Sequence, residues 1–109
     1  MIRKAFVLHL KPGGHDEYKR RHDEVWPELV EEIERSGIAR ITIFSADQLL
    51  FLYSEIEDPE AWDRLWDTEI HRRWARQNEP LMDIRPDGIV EATALVEVFH
   101  LETAAVTRA

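Results

Sequence analysis

The sequence predicts an α+β fold in which helices cover one face of an antiparallel sheet. Residues 2–10 place Phe6, Leu8 and Leu10 on one side of an extended chain, which fits a strand. Over residues 15–35 apolar residues recur at three- and four-residue steps, as in an amphipathic helix. Two β-rich runs, a second helical segment and a last β-rich run follow. The order β-α-β-β-α-β is the ferredoxin-like arrangement.

The first helix is predicted from His15 to about Arg35, after the strand-breaking stretch "KPGG". Pro27 lies inside this span, where it lacks the amide that an unbroken helix needs, so we expect a kink or a restart there. Ser36 and Gly37 are a natural end for the helix.

A hairpin is predicted next, with strands at Ile41–Ser45 and Leu49–Glu57 and a turn at residues 46–48. A second helical segment then opens with Asp58 as N-cap and Pro59 at the first helical position. It forms either two short helices or one bent helix.

The end of the sequence contains a loop and a strand. The stretch "RPDG", residues 85–88, is predicted to be loop, and residues 89–101 are predicted to form the last strand. We expect residues 1–101 to form a single domain and residues 102–109 to be a frayed tail.

Composition narrows the partners and the location of the protein. With 22 acidic and 14 basic residues, the formal charge of -8 disfavours binding to nucleic acid or to an anionic membrane. No cysteine is present, so disulfides and cysteine metal sites are excluded. No stretch resembles a signal peptide or a membrane span, and a cytoplasmic location is therefore expected.

The predicted layers have a consequence for assembly. If the helices lie on one face, the apolar residues on the other face of the sheet remain uncovered. A patch of that size usually meets a partner subunit. We therefore predict a homodimer whose sheets pack together, of the dimeric α/β barrel type.

His22 is the main candidate for a catalytic group. Tyr18 and His22 are four residues apart and so lie on one side of the helix, beside its apolar stripe. An imidazole with an ordinary pKa near 6.5 exchanges protons at neutral pH. Spacing alone does not exclude that His22 is only a structural residue, partly buried and hydrogen-bonded to the backbone.

The tryptophans divide into two pairs. Trp62 and Trp66 are expected to fill the core between helix and sheet, whereas Trp26 and Trp74, near helix interruptions or ends, are candidates for a pocket wall. The spacing does not exclude that Trp26 and Trp74 also only fill the core. His71 is expected on the helix surface. One imidazole, one phenol and flat indoles together favour a small neutral polyol as ligand.

A metal site is not expected. His22, Asp23, Glu24 and His71 contain suitable donor atoms, but the sequence has no HExxH and no second histidine four residues from the first.

Several motifs resemble the L-rhamnose mutarotases. They are "MIRKAFV", "EYKRRHDEVWPEL", "LLF", "EIE" and "EVFHL", in register over residues 1–101. The resemblance implies a dimeric, cytoplasmic, cofactor-free α/β protein that interconverts the α and β anomers of L-rhamnopyranose.

The resemblance also implies roles for residues. The family's proton donor matches His22, and a substrate-binding tyrosine matches Tyr18. A sugar-binding Trp-Trp pair matches Trp74 and Ala75, and a second substrate-binding tyrosine matches Ile41. Because Ile41 and Ala75 replace aromatic residues, another 6-deoxyhexose such as L-fucose remains open as the substrate.

The predicted function is thus acid-base ring opening and reclosure of a 6-deoxyhexose. Two alternatives use the same fold. One is a cofactor-free monooxygenase or haem-degrading protein, and the other is a non-catalytic sugar-binding dimer.

Overall fold

A four-stranded antiparallel sheet forms the centre of the fold in the computed structural model, which describes residues 1–83 and 92–108. The strands are β1 (Ile2–His9), β2 (Ile38–Ala46), β3 (Leu49–Ile56) and β4 (Ala92–Leu95). They follow the order β2-β3-β1-β4 across the sheet. This topology confirms the predicted ferredoxin-like α+β fold.

The strand register separates two faces of the sheet. Phe6 pairs with Leu52, and Leu52 pairs with Ile43 on its other side, so these three side chains share the face under the helices. Val7 and Phe51 pair on the opposite face. The buried core lies on the helix side, where Phe6 meets Trp62 edge-on at a centroid distance of 5.6 Å.

Two helices occupy residues 15–35, α1 (His15–Asp23) and α2 (Pro27–Arg35). The restart expected at the proline is confirmed, and Pro27 is the first residue of α2. Trp26 is extended, with φ -66° and ψ 131°, as is usual for a residue that precedes proline. The break therefore has a local cause in the sequence.

The hairpin is tighter and its first strand is longer than predicted. Ala46 pairs with Leu49, which leaves a two-residue turn whose first residue, Asp47, has a φ of 54°. The strand β2 begins at Ile38, three residues before the predicted start. Gly37, with a φ of 95°, ends the preceding segment and lets Ile38 pair with Ile56 at once.

The second helical segment forms two short helices, α3 (Ala61–Trp66) and α4 (Glu69–Asn78), followed by a 3-10 turn at Glu79–Leu81. The predicted start was wrong by two residues. The carboxylate of Asp58 accepts a hydrogen bond from the amide of Glu60 at 2.9 Å, so residues 58–60 form a turn before the helix.

The predicted last strand was too long. Only Ala92–Leu95 pairs with β1, and the predicted loop at 85–88 and strand start at 89–91 lie outside the described residues. Residues 96–101 are not a strand, and Val98 is 93% exposed. Strand propensity mostly reflects packing against neighbours, and among the described residues this segment has no neighbouring strand to pair with.

The segment predicted as a frayed tail contains a short helix, α5 (Ala105–Arg108). Among the described residues, no helix has the length and apolar character needed to cross a membrane.

Candidate active site

Helix α1 presents Tyr18 and His22 to the space between the helices and the sheet. Their rings stack at a centroid distance of 4.0 Å and an interplanar angle of 28°, as their four-residue spacing allows. Nδ1 of His22 lies 2.9 Å from the backbone oxygen of Tyr18. The imidazole is thus fixed by its own helix.

That hydrogen bond selects a tautomer of His22. A backbone carbonyl oxygen only accepts, so Nδ1 must carry the proton and donate it. In the neutral ring Nε2 is then the atom with the free lone pair. No group in the described residues bonds to Nε2, which leaves this atom available as a base.

Trp74 reaches the same place from α4. The side chain of Thr68 caps the start of this helix by accepting a bond from the amide of His71 at 3.3 Å. The indole of Trp74 meets the ring of His22 edge-on at 5.1 Å and the indole of Trp26 edge-on at 5.1 Å. The break before Pro27 and the break before α4 together position these rings.

A cavity of about 640 Å³ lies between the helices and the sheet, and we call it the helix-side cavity. This volume is within the range of small-molecule sites. Its lining includes the five residues singled out from the sequence: Tyr18, His22, Ile41, Trp74 and Ala75. The structure therefore brings them together, while the roles expected for them stay predictions.

Burial shapes the acid-base properties of the cavity. Burial lowers the pKa of His22 below 6.5, and the hydrogen bond to Tyr18 and the nearby charge of Asp23 partly oppose this effect. Burial also raises the pKa of Tyr18 to about 12. At neutral pH Tyr18 is therefore a neutral phenol, and His22 can accept a proton.

The surface position predicted for His71 was wrong. His71 is partly buried and lines the helix-side cavity, where burial lowers its pKa to about 4. Sequence reasoning also missed Asn78, a buried cavity residue. Both lie on the face of α4 that holds Trp74 and Ala75. Counted from His71, the other three residues follow at spacings of three, four and seven. That helical spacing was the signal that could have found them.

The tryptophan predictions were partly wrong. Trp26 does not line the cavity, because it packs against Trp74 and the core. Trp62 and Trp66 were expected in the core. Trp62 is buried there and also lines the cavity, whereas Trp66 lines the cavity but is 39% exposed and lies outside the core. The Nε1–H of Trp62 is already used, since it donates to Ser54 Oγ at 2.9 Å.

No grouping of three or more potential metal ligands occurs within residues 1–83 and 92–108. His22 and His71 line one cavity, but Asp23 and Glu24 are exposed on α1. The four residues thus do not form a ligand set.

Comparison with known proteins gives a consistent result over nearly the whole chain. A family model described as L-rhamnose mutarotase matches residues 3–101. The L-rhamnose mutarotase of Oceanobacillus iheyensis is 40% identical over 104 residues, which are 94% of this chain and 100% of that protein.

Solved structures agree with the sequence matches. The crystal structure of L-rhamnose mutarotase FA22100 from Formosa agariphila superposes with a TM-score of 0.82 at 30% identity, covering 94% of this chain and 100% of that one. A dimeric ferredoxin-like protein from an uncultured marine organism, 14% identical, covers 93% of this chain and 97% of its own with a TM-score of 0.61, which shows the fold alone. By its matched length, its identity to relatives and its structure, the chain belongs to the L-rhamnose mutarotase family.

Proposed function

We propose that the protein is an isomerase that interconverts the α and β anomers of L-rhamnose or a related 6-deoxyhexose. One observation carries the proposal: His22 lines the helix-side cavity, its Nδ1 is hydrogen-bonded to the backbone oxygen of Tyr18, and its Nε2 has no partner among the described residues. Membership of the L-rhamnose mutarotase family supports it and favours it over the haem-degrading, monooxygenase and non-catalytic alternatives.

The reaction needs one proton to move between two oxygens of the sugar. Neutral His22 takes the proton of the anomeric hydroxyl at Nε2. The bond between C1 and the ring oxygen breaks as the C1 carbonyl forms, and the imidazolium gives the proton to the ring oxygen. One imidazole can serve both oxygens, because both are attached to C1.

Reclosure completes the cycle. The open aldehyde rotates about the bond between C1 and C2, and the same steps in reverse form the ring on the other face of the carbonyl. His22 ends neutral, as it began, and no electrons leave the sugar. The reaction thus proceeds without a cofactor, and acid-base help of this kind contributes roughly 10² to 10⁴-fold.

The neighbouring side chains suit a neutral sugar. Tyr18 holds His22 by stacking and offers a phenol to a hydroxyl, and Trp74 offers a flat surface to the apolar side of the ring. Ile41 and Ala75 add an apolar wall without hydrogen-bonding side chains. This wall fits the methyl group of a 6-deoxyhexose, and the two residues are expected to set the preference among such sugars.

A homodimer is part of the proposal. The sheet face away from the helices exposes Phe44 to 64%, and the chain after β4 exposes Val96, Val98 and Phe99. Apolar residues gathered in this way usually meet a partner. Sedimentation should give about twice the 12.9 kDa of one chain, and a monomer at micromolar concentration would contradict the dimer. The cytoplasmic location stays a prediction.

Nuclear magnetic resonance (NMR) tests the activity directly. When one anomeric signal of L-rhamnose or L-fucose is saturated, the saturation should transfer to the signal of the other anomer faster in the presence of the protein. His22→Asn should remove the acceleration. His15→Asn is the matched control, since His15 lies on the same helix but is exposed and does not line the cavity. Equal exchange with and without the protein for both sugars would contradict the proposal.

A further inference from the structure

Asn78, the last residue of α4, has a hydrogen-bonding group that the fold leaves unused. Its side chain is buried, with 5% exposed, and it lines the helix-side cavity. Nδ2 donates to the backbone oxygen of Trp74 at 3.0 Å. Oδ1 has no hydrogen-bond partner among the described residues.

The chemistry of the amide shows which atom is unused. Oxygen and nitrogen of an asparagine side chain are assigned from their partners. Turning the amide over would place Oδ1 against the Trp74 carbonyl oxygen, and two acceptors cannot bond to each other. The unused atom of Asn78 is therefore the acceptor.

A buried acceptor without a partner destabilises a fold, and such groups are uncommon in native proteins. Leucine has the same branching at Cγ and would not carry this cost. The bond to Trp74 does not explain the residue either, because that carbonyl is within a helix and already accepts from the backbone. A ligand that donates to Oδ1 does explain it.

The surroundings of Asn78 point toward the cavity and toward a neutral donor. Ala75 lies one turn earlier on the same face, and its small side chain lines the cavity next to Asn78. Two turns earlier lies His71, which is uncharged at neutral pH because burial lowers its pKa. Trp74 lies between them. This face of α4 thus combines a flat ring with uncharged polar groups.

We propose that Asn78 determines sugar specificity, with its Oδ1 accepting a hydrogen bond from one ring hydroxyl of the bound sugar. The inference rests on the proposed mutarotase function. It assigns to α4 the polar contact that Ile41 and Ala75 cannot make. His71 offers a second uncharged hydroxyl partner along the same helix.

Asn78→Leu tests the assignment by removing the acceptor while keeping the branching at Cγ. The KM for anomer exchange should rise about tenfold while kcat changes by less than about twofold. The midpoint of thermal unfolding should stay equal or rise, because an unpaired buried acceptor is lost. A purely structural asparagine would instead give a lower midpoint and an unchanged KM. Gln77→Leu, on the exposed side of the same helix, is the matched control.

Sugar analogues identify the hydroxyl. In L-rhamnose analogues with hydrogen in place of the hydroxyl on C2, C3 or C4, one analogue should show the same KM for the natural protein and for Asn78→Leu. The other two should keep the tenfold difference. An equal KM for the two proteins with every sugar would overturn the proposal.

The outcomes separate this inference from the proposed function. If the natural protein accelerates no sugar, the mutarotase function itself fails. If it is active and Asn78→Leu matches it throughout, only the role of Asn78 fails. Should Asn78→Leu not fold, Asn78→Ala replaces it. Binding of L-rhamnose to the His22→Asn variant, with and without Asn78→Ala, gives a dissociation constant that does not depend on activity.

Discussion

His22 and His71 approach the same cavity from different helices, yet their environments give them different chemistry. His22 has a backbone partner for Nδ1 and a stacked phenol, and burial lowers its pKa only against opposing effects. For His71, burial acts alone and lowers the pKa to about 4. In the proposed mechanism, the hydrogen bond to one ring nitrogen, more than the presence of a cavity, distinguishes His22 from His71.

The largest expected difference concerns turnover. His22→Asn should lower kcat for anomer exchange by about 10² to 10⁴-fold, because the proton-transfer group is lost. His71→Asn should change kcat by less than about tenfold, since the role proposed for His71 is a hydroxyl contact without proton transfer. Saturation-transfer rates at saturating sugar measure both. Equal losses in the two variants would remove the distinction between the histidines.

The stability of the fold should depend on pH more through His71 than through His22. Because the pKa of His71 is about 4 in the folded chain, whereas an ordinary histidine has a pKa of 6.5, the unfolded chain binds the proton more readily. The stabilisation from neutral His71 is present above pH 6.5 and is lost as the pH falls toward 4, by up to about 3 kcal/mol. Urea unfolding at about pH 7 and about pH 4.5 should show a smaller loss for His71→Leu than for the natural protein.

A control variant shows how much of the pH dependence of stability comes from groups other than His71. Gln77→Leu changes an exposed residue of the same helix that carries no titratable group, so it should lose stability with falling pH as much as the natural protein does. If His71→Leu and Gln77→Leu have the same pH dependence, the low pKa of His71 is contradicted.

The pH dependence of the rate gives a third comparison. If neutral His22 is the base, as proposed, kcat/KM should fall about tenfold per pH unit once the pH is below the pKa of His22, which itself lies below 6.5. His71→Leu should leave this profile in place. A rate that rises with acidity, or a profile that moves in His71→Leu, would show that the roles are assigned to the wrong histidines.

The parts of the site whose geometry depends on neighbouring residues in the sequence could be predicted. Tyr18 and His22 share one helix face through their spacing, and the restart at Pro27 follows from the missing amide. The cavity face of α4 was harder to predict, because His71 is followed by Arg72 and Arg73 and therefore resembles a surface residue. Its burial depends on how the break at Thr68 turns α4 toward the sheet, which is a tertiary property.

The fold was predictable in its order of elements but not at its C-terminal end. The run of Val96, Val98 and Phe99 has the composition of a strand, and composition cannot say which sheet the strand joins. Within the described chain, these residues stay exposed beside β4. The same exposed residues carry the proposed dimer, so the wrong prediction and the proposal have one physical origin.

The smallest expected effect concerns the cover that Tyr18 gives to His22. Burial is the largest cause of the lowered pKa of His22, and the ring stacked at 4.0 Å supplies part of that burial. Tyr18→Ala should therefore raise the pKa of His22 toward 6.5 and leave that of His71 unchanged, whereas Tyr18→Phe keeps the ring and should move neither. NMR titration of the imidazole signals measures all four values. A pKa of His22 that stays constant in Tyr18→Ala would mean that the helices and the sheet, rather than the phenol, keep solvent from the imidazole.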